Sequence, residues 1–332
     1  MFKVPDPAIA ALMRKAGDND ARIALEGQYE FAKALTLPLQ DALLPVNLID
    51  SVFTPVDRTG QSDLSYPLDF LNPGQEEDFI AYVQPGNGRI PERQVQADYI
   101  HLRTYMIANS IDITLRILRD AQWDIMSRML EVIRAGFQMK MNRDGWRVIL
   151  AAGASRNLVV NDTAGAAGVF TRRLLGLLQS EMQRQGGVMT SQNRRKLTHL
   201  FVSTESKYEI YNWDLTVIDD ATRRELYMAQ SNDGAFKIAG VNIVDLVELG
   251  VGREYNNYYV GATGLNQTLP NSDTEIVVGF DLNRDTFIMP VREMLNINVD
   301  PNMHRSQKAG MYGWFEGGYA ALDNRDLLIG SL

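Results

Sequence analysis

Apolar residues recur every three or four positions from Asp120 to Ala152, the longest run of this kind in the chain. At that spacing Met126, Leu130, Ile133, Phe137 and Met141 stack on one face of a helix. Ile125, Met129, Val132 and Gly136 widen the stripe. Asp120 is placed to cap the helix, Gly145 weakens it near its end, and Gly153 is the expected stop. About thirty residues at ~1.5 Å each make a rod of roughly 45 Å, longer than a small domain is wide. Such a helix needs a sheet, a second helix or a thin plate to cover its apolar face, and the rest of the chain reads as arranged around it.

Ahead of it, Ala8 to Lys15 and a segment from Asp20 through Ile23, Leu25, Phe31 and Leu35 carry shorter helical patterns. Gly17 ends the first, and Pro38 and Pro45 break the second. With few apolar residues per turn, these helices are expected to pack on something else, another subunit included. Residues 51–111 change character. Prolines and glycines punctuate two strand-like runs, Phe79 to Val83 and Val95 to Ile107. In the second, Ile100, Leu102, Thr104 and Met106 share a face opposite His101, Arg103 and Tyr105. Pro85-Gly86-Asn87-Gly88 between the runs is a strong turn signal, so a long polar β-hairpin is expected. A lone hairpin is marginal in water, which suggests that it lies on a sheet or a neighbouring molecule; the pattern serves an ordinary internal hairpin equally well.

A short helical turn is expected over Ile113–Asp120. Beyond the long helix, Gly153 to Gly168 reads as a loop or boundary, and Arg172 to Gln185 as an amphipathic helix stopped by Gly186-Gly187. Leu197 to Val202 reads as a buried strand, followed by a helix capped by Ser203 or Thr204 and running to about Trp213. Phe236 to Leu249 favours strand, although Gly240 interrupts it. Asn256 to Pro270 reads as a loop, and Glu275–Phe280 with Asp285–Met289 as a hairpin around Asn283-Arg284. Leu295–Val299, Gly310–Ala321 and Leu327–Ile329 close the chain as strands. The class is α+β, without repeats or low-complexity segments.

Composition narrows the function classes. The 332 residues suffice for two modest domains or one large one, and 45% apolar content permits a real core. The net charge is −8, with no basic tail, so tight electrostatic binding of nucleic acid is not expected. There is no cysteine, which excludes disulfides and thiolate metal sites. The first residues lack the apolar core of a signal peptide, and no stretch approaches the ~20 apolar residues of a membrane span. The chain reads as soluble and made in a cytoplasm.

Candidate chemistry is sparse. The three histidines, His101, His199 and His304, lack metal-ligand spacing and read as structural. No serine sits in a nucleophile elbow. Gly250-Val251-Gly252 is a turn and not a phosphate cradle. The acidic pairs Glu76-Glu77 and Asp219-Asp220 read as solvated. Tyr255, Tyr258 and Tyr259 with Arg253 could stack on bases, but without a basic groove they read as loop packing or a subunit contact. No catalytic, cofactor-binding or metal residue is named, and no cofactor is expected.

Three stretches together resemble the major capsid proteins of tailed phages, the Hong Kong 97-type (HK97-like) fold. Asp112-Ile-Thr-Leu-Arg-Ile-Leu-Arg-Asp120 and the long helix after it resemble that family's entry into its backbone helix. Leu200-Phe-Val-Ser-Thr204 is similar to a strand-to-helix step of its axial domain. His304-Arg-Ser-Gln-Lys-Ala-Gly-Met-Tyr-Gly-Trp-Phe-Glu-Gly-Gly-Tyr-Ala-Ala-Leu-Asp-Asn-Arg-Asp-Leu-Leu-Ile-Gly330 resembles its closing strands. The order of parts fits over nearly the whole chain, although no single motif is diagnostic.

The resemblance implies an N-terminal arm (1–54), an extended β-hairpin loop (55–108), and a peripheral domain built on the long spine helix (109–154). An inserted axial domain (155–292) and peripheral return strands with a C-terminal strand (293–332) would follow. It implies hexamers and pentamers tiling an icosahedral shell around double-stranded DNA in a virion assembled in the host cytoplasm. Portal, scaffold and cement proteins would be partners, and a membrane would not. Some members crosslink themselves through a lysine on the extended loop. Here the eight lysines leave a gap from Ala34 to Met139, so that isopeptide is not expected. The rival readings are an encapsulin-like compartment, a two-domain α+β enzyme with its site at Gly153–Gly168, and a tail or sheath protein.

Overall fold

A computed structural model describes residues 7–43, 51–59, 65–67, 99–120, 123–165, 167–185, 195–213, 222–224, 236–270, 273–300 and 307–332. In chain order its elements begin with α1 (Pro7–Ala16), α2 (Ala21–Leu43), β1 (Thr54–Asp57), β2 (Ser65–Pro67), β3 (Tyr99–His101), β4 (Tyr105–Thr114), α3 (Leu115–Arg119) and α4 (Trp123–Ser155). Then come β5 (Val159–Asn161), α5 (Arg172–Arg184), β6 (His199–Val202), α6 (Thr204–Tyr211), β7 (Phe236–Ile238), β8 (Val241–Asp245) and α7 (Glu254–Val260). Last are β9 (Ile276–Phe280), β10 (Phe287–Asp300), β11 (Lys308–Gly317), β12 (Ala320–Ala321) and β13 (Leu327–Ser331). The chain divides into two units, one of Met1–Ser65, His101–Gly145 and Ile288–Ala320, the other of Tyr66–Ile100, Trp146–Phe287 and Ala321–Leu332.

In the first unit, α1 opens on Pro7, whose fixed φ suits a first turn, and closes where the Gly17 N–H donates to the Met13 carbonyl at 3.0 Å. Asp20 caps α2, its Oδ1 accepting from the Arg22 N–H at 2.9 Å. Contrary to the sequence reading, α2 continues past Pro38 to Leu43: a proline removes one backbone bond without ending a helix whose other turns hold. The two helices also find their partners inside the chain. Met13, Ala16, Ala24 and Phe31 are fully buried. A Cβ on Gly27 would stand 2.5 Å from the Ala16 nitrogen, so the helices meet backbone to backbone. Gln28 Nε2 then donates to the Ala16 carbonyl at 3.2 Å, satisfying an acceptor that the helix end leaves open. Arg119 Nε of α3 donates to the Gly17 carbonyl at 3.2 Å. Gly27→Val is therefore expected to cost about 1–3 kcal/mol, the usual range for overpacking, read as a fall in the urea midpoint.

The sheet of this unit has the order β1-β10-β11-β4, with β1 parallel to β10 and the rest antiparallel. Leu130, Ile133 and Phe137 of α4 line an apolar seam with Ile113, Leu295 and Met311. The stripe of α4 is narrower than expected: Ile125 and Val132 are 39% and 62% exposed, and the Met126 side chain lies outside the described ones. Asp120 closes α3 through its N–H to the Arg116 carbonyl at 2.9 Å and does not open α4. Strand, not helix, runs up to Thr114, because β4 is paired along its whole length by β11.

The expected polar hairpin is only partly visible. Phe79 to Val83 and the Pro85–Gly88 turn lie outside the described residues, as do Glu76-Glu77, Asp219-Asp220, Gly186-Gly187 and Pro45. The run Val95–Ile107 is not one strand: β3 pairs with β2, and β4 begins separately at Tyr105. Within β4 the inward face carries Ile107 and Ile113, and Met106 is 61% exposed, opposite to the face assigned from the alternation. The break at residues 102–104 resets the phase, which alternation counted through it cannot detect.

In the second unit the sheet has the order β5-β13-β9-β6-β8-β7. β5, β13, β6 and β8 run one way, β9 and β7 the other. Alternation on β6 splits the packing. Leu200 and Val202 join Leu174 and Leu178 of α5 and Ile210 of α6, while Phe201 meets Trp146 of α4 edge-on at 5.1 Å. The result is a sheet between two helical layers.

Five local expectations change here. Gly153 lies inside α4, because Ile329 approaches so closely that a Cβ there would stand 2.7 Å from its Cγ1; the turn comes at Asn157, with φ +50°. The presumed loop after α4 contains β5, paired with β13. Gly240 does not weaken one strand but turns two: with Ala239 at φ +49° and Gly240 at +84°, β7 and β8 form a tight hairpin. Tyr255 to Val260 is helical, and β9 pairs with β13 and β6, so Glu275–Met289 is no hairpin.

Candidate functional site

The ends of β5, β13, β6 and β8 emerge together at one end of the second sheet, and polar side chains gather there. Asp162 accepts from Thr171 Oγ1 at 2.7 Å and from the Ala164 N–H at 3.2 Å, and pairs with Arg173 at 3.5 Å. Thr171 in turn caps α5, accepting from the Leu174 N–H at 3.0 Å. A cleft of about 350 Å³ opens beside them, lined by Asn161, Asp162, Thr163, Asp273, Ser331 and Leu332. Inside it Ser331 Oγ donates to Asp273 Oδ2 at 2.8 Å, and Asn161 Nδ2 donates to the same carboxylate.

Ser203 caps α6, its Oγ accepting from the Ser206 N–H at 3.0 Å, and Ser206 Oγ donates to Glu275 Oε1 at 2.8 Å. Burial pushes the Glu275 carboxyl above its ordinary 4.5; hydrogen bonds from Ser203 and Ser206 oppose this, while the charges of Glu205 and Glu209 add to it. A carboxyl raised in the folded state binds more protons there than when unfolded, so its ionisation costs stability as pH rises through this window. Glu275→Gln is therefore expected to raise the melting temperature at pH 7, and the gain should vanish on acidification below pH 4.5. An unchanged or lower value at pH 7 would contradict this.

This cleft is where the enzyme alternative put its site. Its polar groups are engaged with one another, and none of the described residues that line it is a histidine. His199 is half-buried on β6, with Nδ1 3.1 Å from Thr198 Oγ1 and Nε2 3.1 Å from Asn242 Nδ2. Burial, and then Lys237, hold its imidazole below the ordinary value. His101 is exposed at the end of β3, and His304 lies outside the described residues. Among the described residues no cluster of three acidic or histidine side chains could hold a metal, and no helix is long and apolar enough to cross a membrane.

The tyrosine cluster divides between core and surface. Tyr255 stacks on Trp146 at 5.7 Å, and Tyr259 is fully buried, its phenol pushed up to about 12 by desolvation. Tyr258 lies beneath the Arg147 guanidinium at 5.4 Å. Arg253 is exposed. At the opposite end of the sheet Arg195, 2% exposed, pairs with Asp323 at 2.9 Å and with fully buried Asp326 at 2.7 Å. The Asp326 contact is close enough for an ion pair but poorly aligned as a hydrogen bond. The sequence reading missed this centre, because nothing local in Arg194-Arg195-Lys196 marks the middle side chain as buried.

No family model matches the sequence, and no curated protein does. Solved structures do match. A chain from Gordonia phage Cozz superposes with a TM-score of 0.54 at 12% identity, covering 86% of each chain. The capsid structure of the cyanophage P-SCSP1u gives 0.54 at 14% identity over 86% of this chain and 88% of that one. The capsid of the Myoviridae phage XM1 gives 0.52 at 11% identity over 86% and 90%. The fold is the HK97-like capsid fold. At these identities the likeness lies in the arrangement of elements, not in shared side chains.

Several apolar side chains are exposed on the surface. Val132 and Met139 of α4 are 62% and 65% exposed, one heptad apart. In the second unit Val247 and Val251 are 61% and 65% exposed and Tyr208 is 55%.

Proposed function

We propose that the chain is the major capsid protein of a tailed bacteriophage, assembling as hexamers and pentamers into an icosahedral head around double-stranded DNA. The observation that carries this reading is a fold shared over 86% of the chain with phage capsid structures. Residues 1–54 would be the arm, 55–108 the extended loop, 109–154 and 293–332 the peripheral domain with the spine helix and C-terminal strand, and 155–292 the axial domain. The subunit's main partner is itself; a portal, a scaffold and a cement protein would complete the head, and the product would be found in the virion. The DNA is enclosed, not read. A net charge of −8 suits this, because packaged DNA brings its own counterions and a basic wall would hold it back.

Shell strength would be noncovalent and non-enzymatic. The absence of lysine from Ala34 to Met139 removes the nucleophile that an extended-loop isopeptide needs. Many modest contacts summed over many copies would then close the shell. Electron microscopy of the protein expressed with and without its neighbouring genes tests the reading: closed shells, or rings of five and six, support it, and a persistent monomer sinks it. Mature particles boiled in detergent should run as single chains on a denaturing gel; a ladder of multimers would contradict the noncovalent account.

A further inference from the structure

We draw no further inference here: the strongest candidate, the exposed apolar stripe that Ile125, Val132 and Met139 form along α4 at heptad spacing, is an unpartnered helix face, and nothing in the structure shows what covers it.

Discussion

Methionine in place of Arg195 should destabilise the second unit by about 3–5 kcal/mol, the range seen when one partner of a buried ion pair is removed. The side chain is 2% exposed and faces two carboxylates, Asp323 at 2.9 Å and Asp326 at 2.7 Å. Asp323 keeps a second cation, Arg325, at 2.7 Å. Asp326 is fully buried and would be left without its close cation. Desolvation already holds its carboxyl above the ordinary value, against the pull of Arg195, so in the variant it should take up a proton. For Asp323 burial acts upward, but hydrogen bonds from Arg325 and Arg195 outweigh it and hold the carboxyl well below its ordinary range. Its contribution is present above the unfolded pKa of 3.8 and is lost as pH falls through the lower folded value. Through the raised Asp326 carboxyl the deficit of Arg195→Met should be greatest at pH 7 and shrink towards pH 4, while the Asp323 share persists until the pH falls below 3.8. Urea midpoints at the two pH values decide: an equal deficit at both would mean that lost packing, not charge, is what matters. Arg195→Met/Asp326→Asn should recover part of the loss at pH 7.

How far such centres can be read from sequence depends on what the signal encodes. Periodicity reports which face of an element meets the core, and it placed α4, α5 and β6 because Leu130, Phe137, Leu174, Leu178 and Phe201 lie on those faces. It does not report where a phase resets. The break at residues 102–104 reversed the inward face of β4, and Ile125 and Val132 sit on a second apolar stripe of α4 that faces away from the sheet. Glycine and proline misled for a related reason. Gly153 and Gly27 are small because Ile329 and the Ala16 backbone come close, not because a helix ends. Tertiary contact overrides the local rule in both cases.

The surface features were less legible still. Gly250-Val251-Gly252 reads only as a turn and the stretch after Gly153 only as a loop or boundary. That both follow strands pointing the same way in one sheet comes from strand order, and β5 was not expected at all. The tyrosines at 255 and 259, read as loop packing or a subunit contact, fill the space beside Trp146 because α7 turns them inward. The likeness to phage capsids was legible because it rests on the order of elements, which survives at identities of 11–14% where side chains do not.

The other large effect is expected at Trp146, whose replacement by alanine should cost about 3–5 kcal/mol, as for other buried large aromatics. The ring is 1% exposed. Its centroid lies 5.1 Å from that of Phe201 at 75° and 6.2 Å from that of Phe280 at 70°, both edge-on, and 5.7 Å from that of Tyr255 at 26°. Three elements, β6, β9 and α7, thus lose their common contact with α4 in one substitution, and the cavity cannot collapse without shifting all of them. Trp314 of the first unit is the control. It is half-buried and stacks on Tyr312 at 5.4 Å, so alanine there should cost only about 1 kcal/mol, the order of a single aromatic pair. Urea unfolding of the two variants separates the cases. Comparable losses would mean that the Trp146 cluster is no more than surface packing. A loss confined to Trp146→Ala would mark it as the centre on which the second unit folds, and under the capsid reading as a step that must precede any contact between subunits.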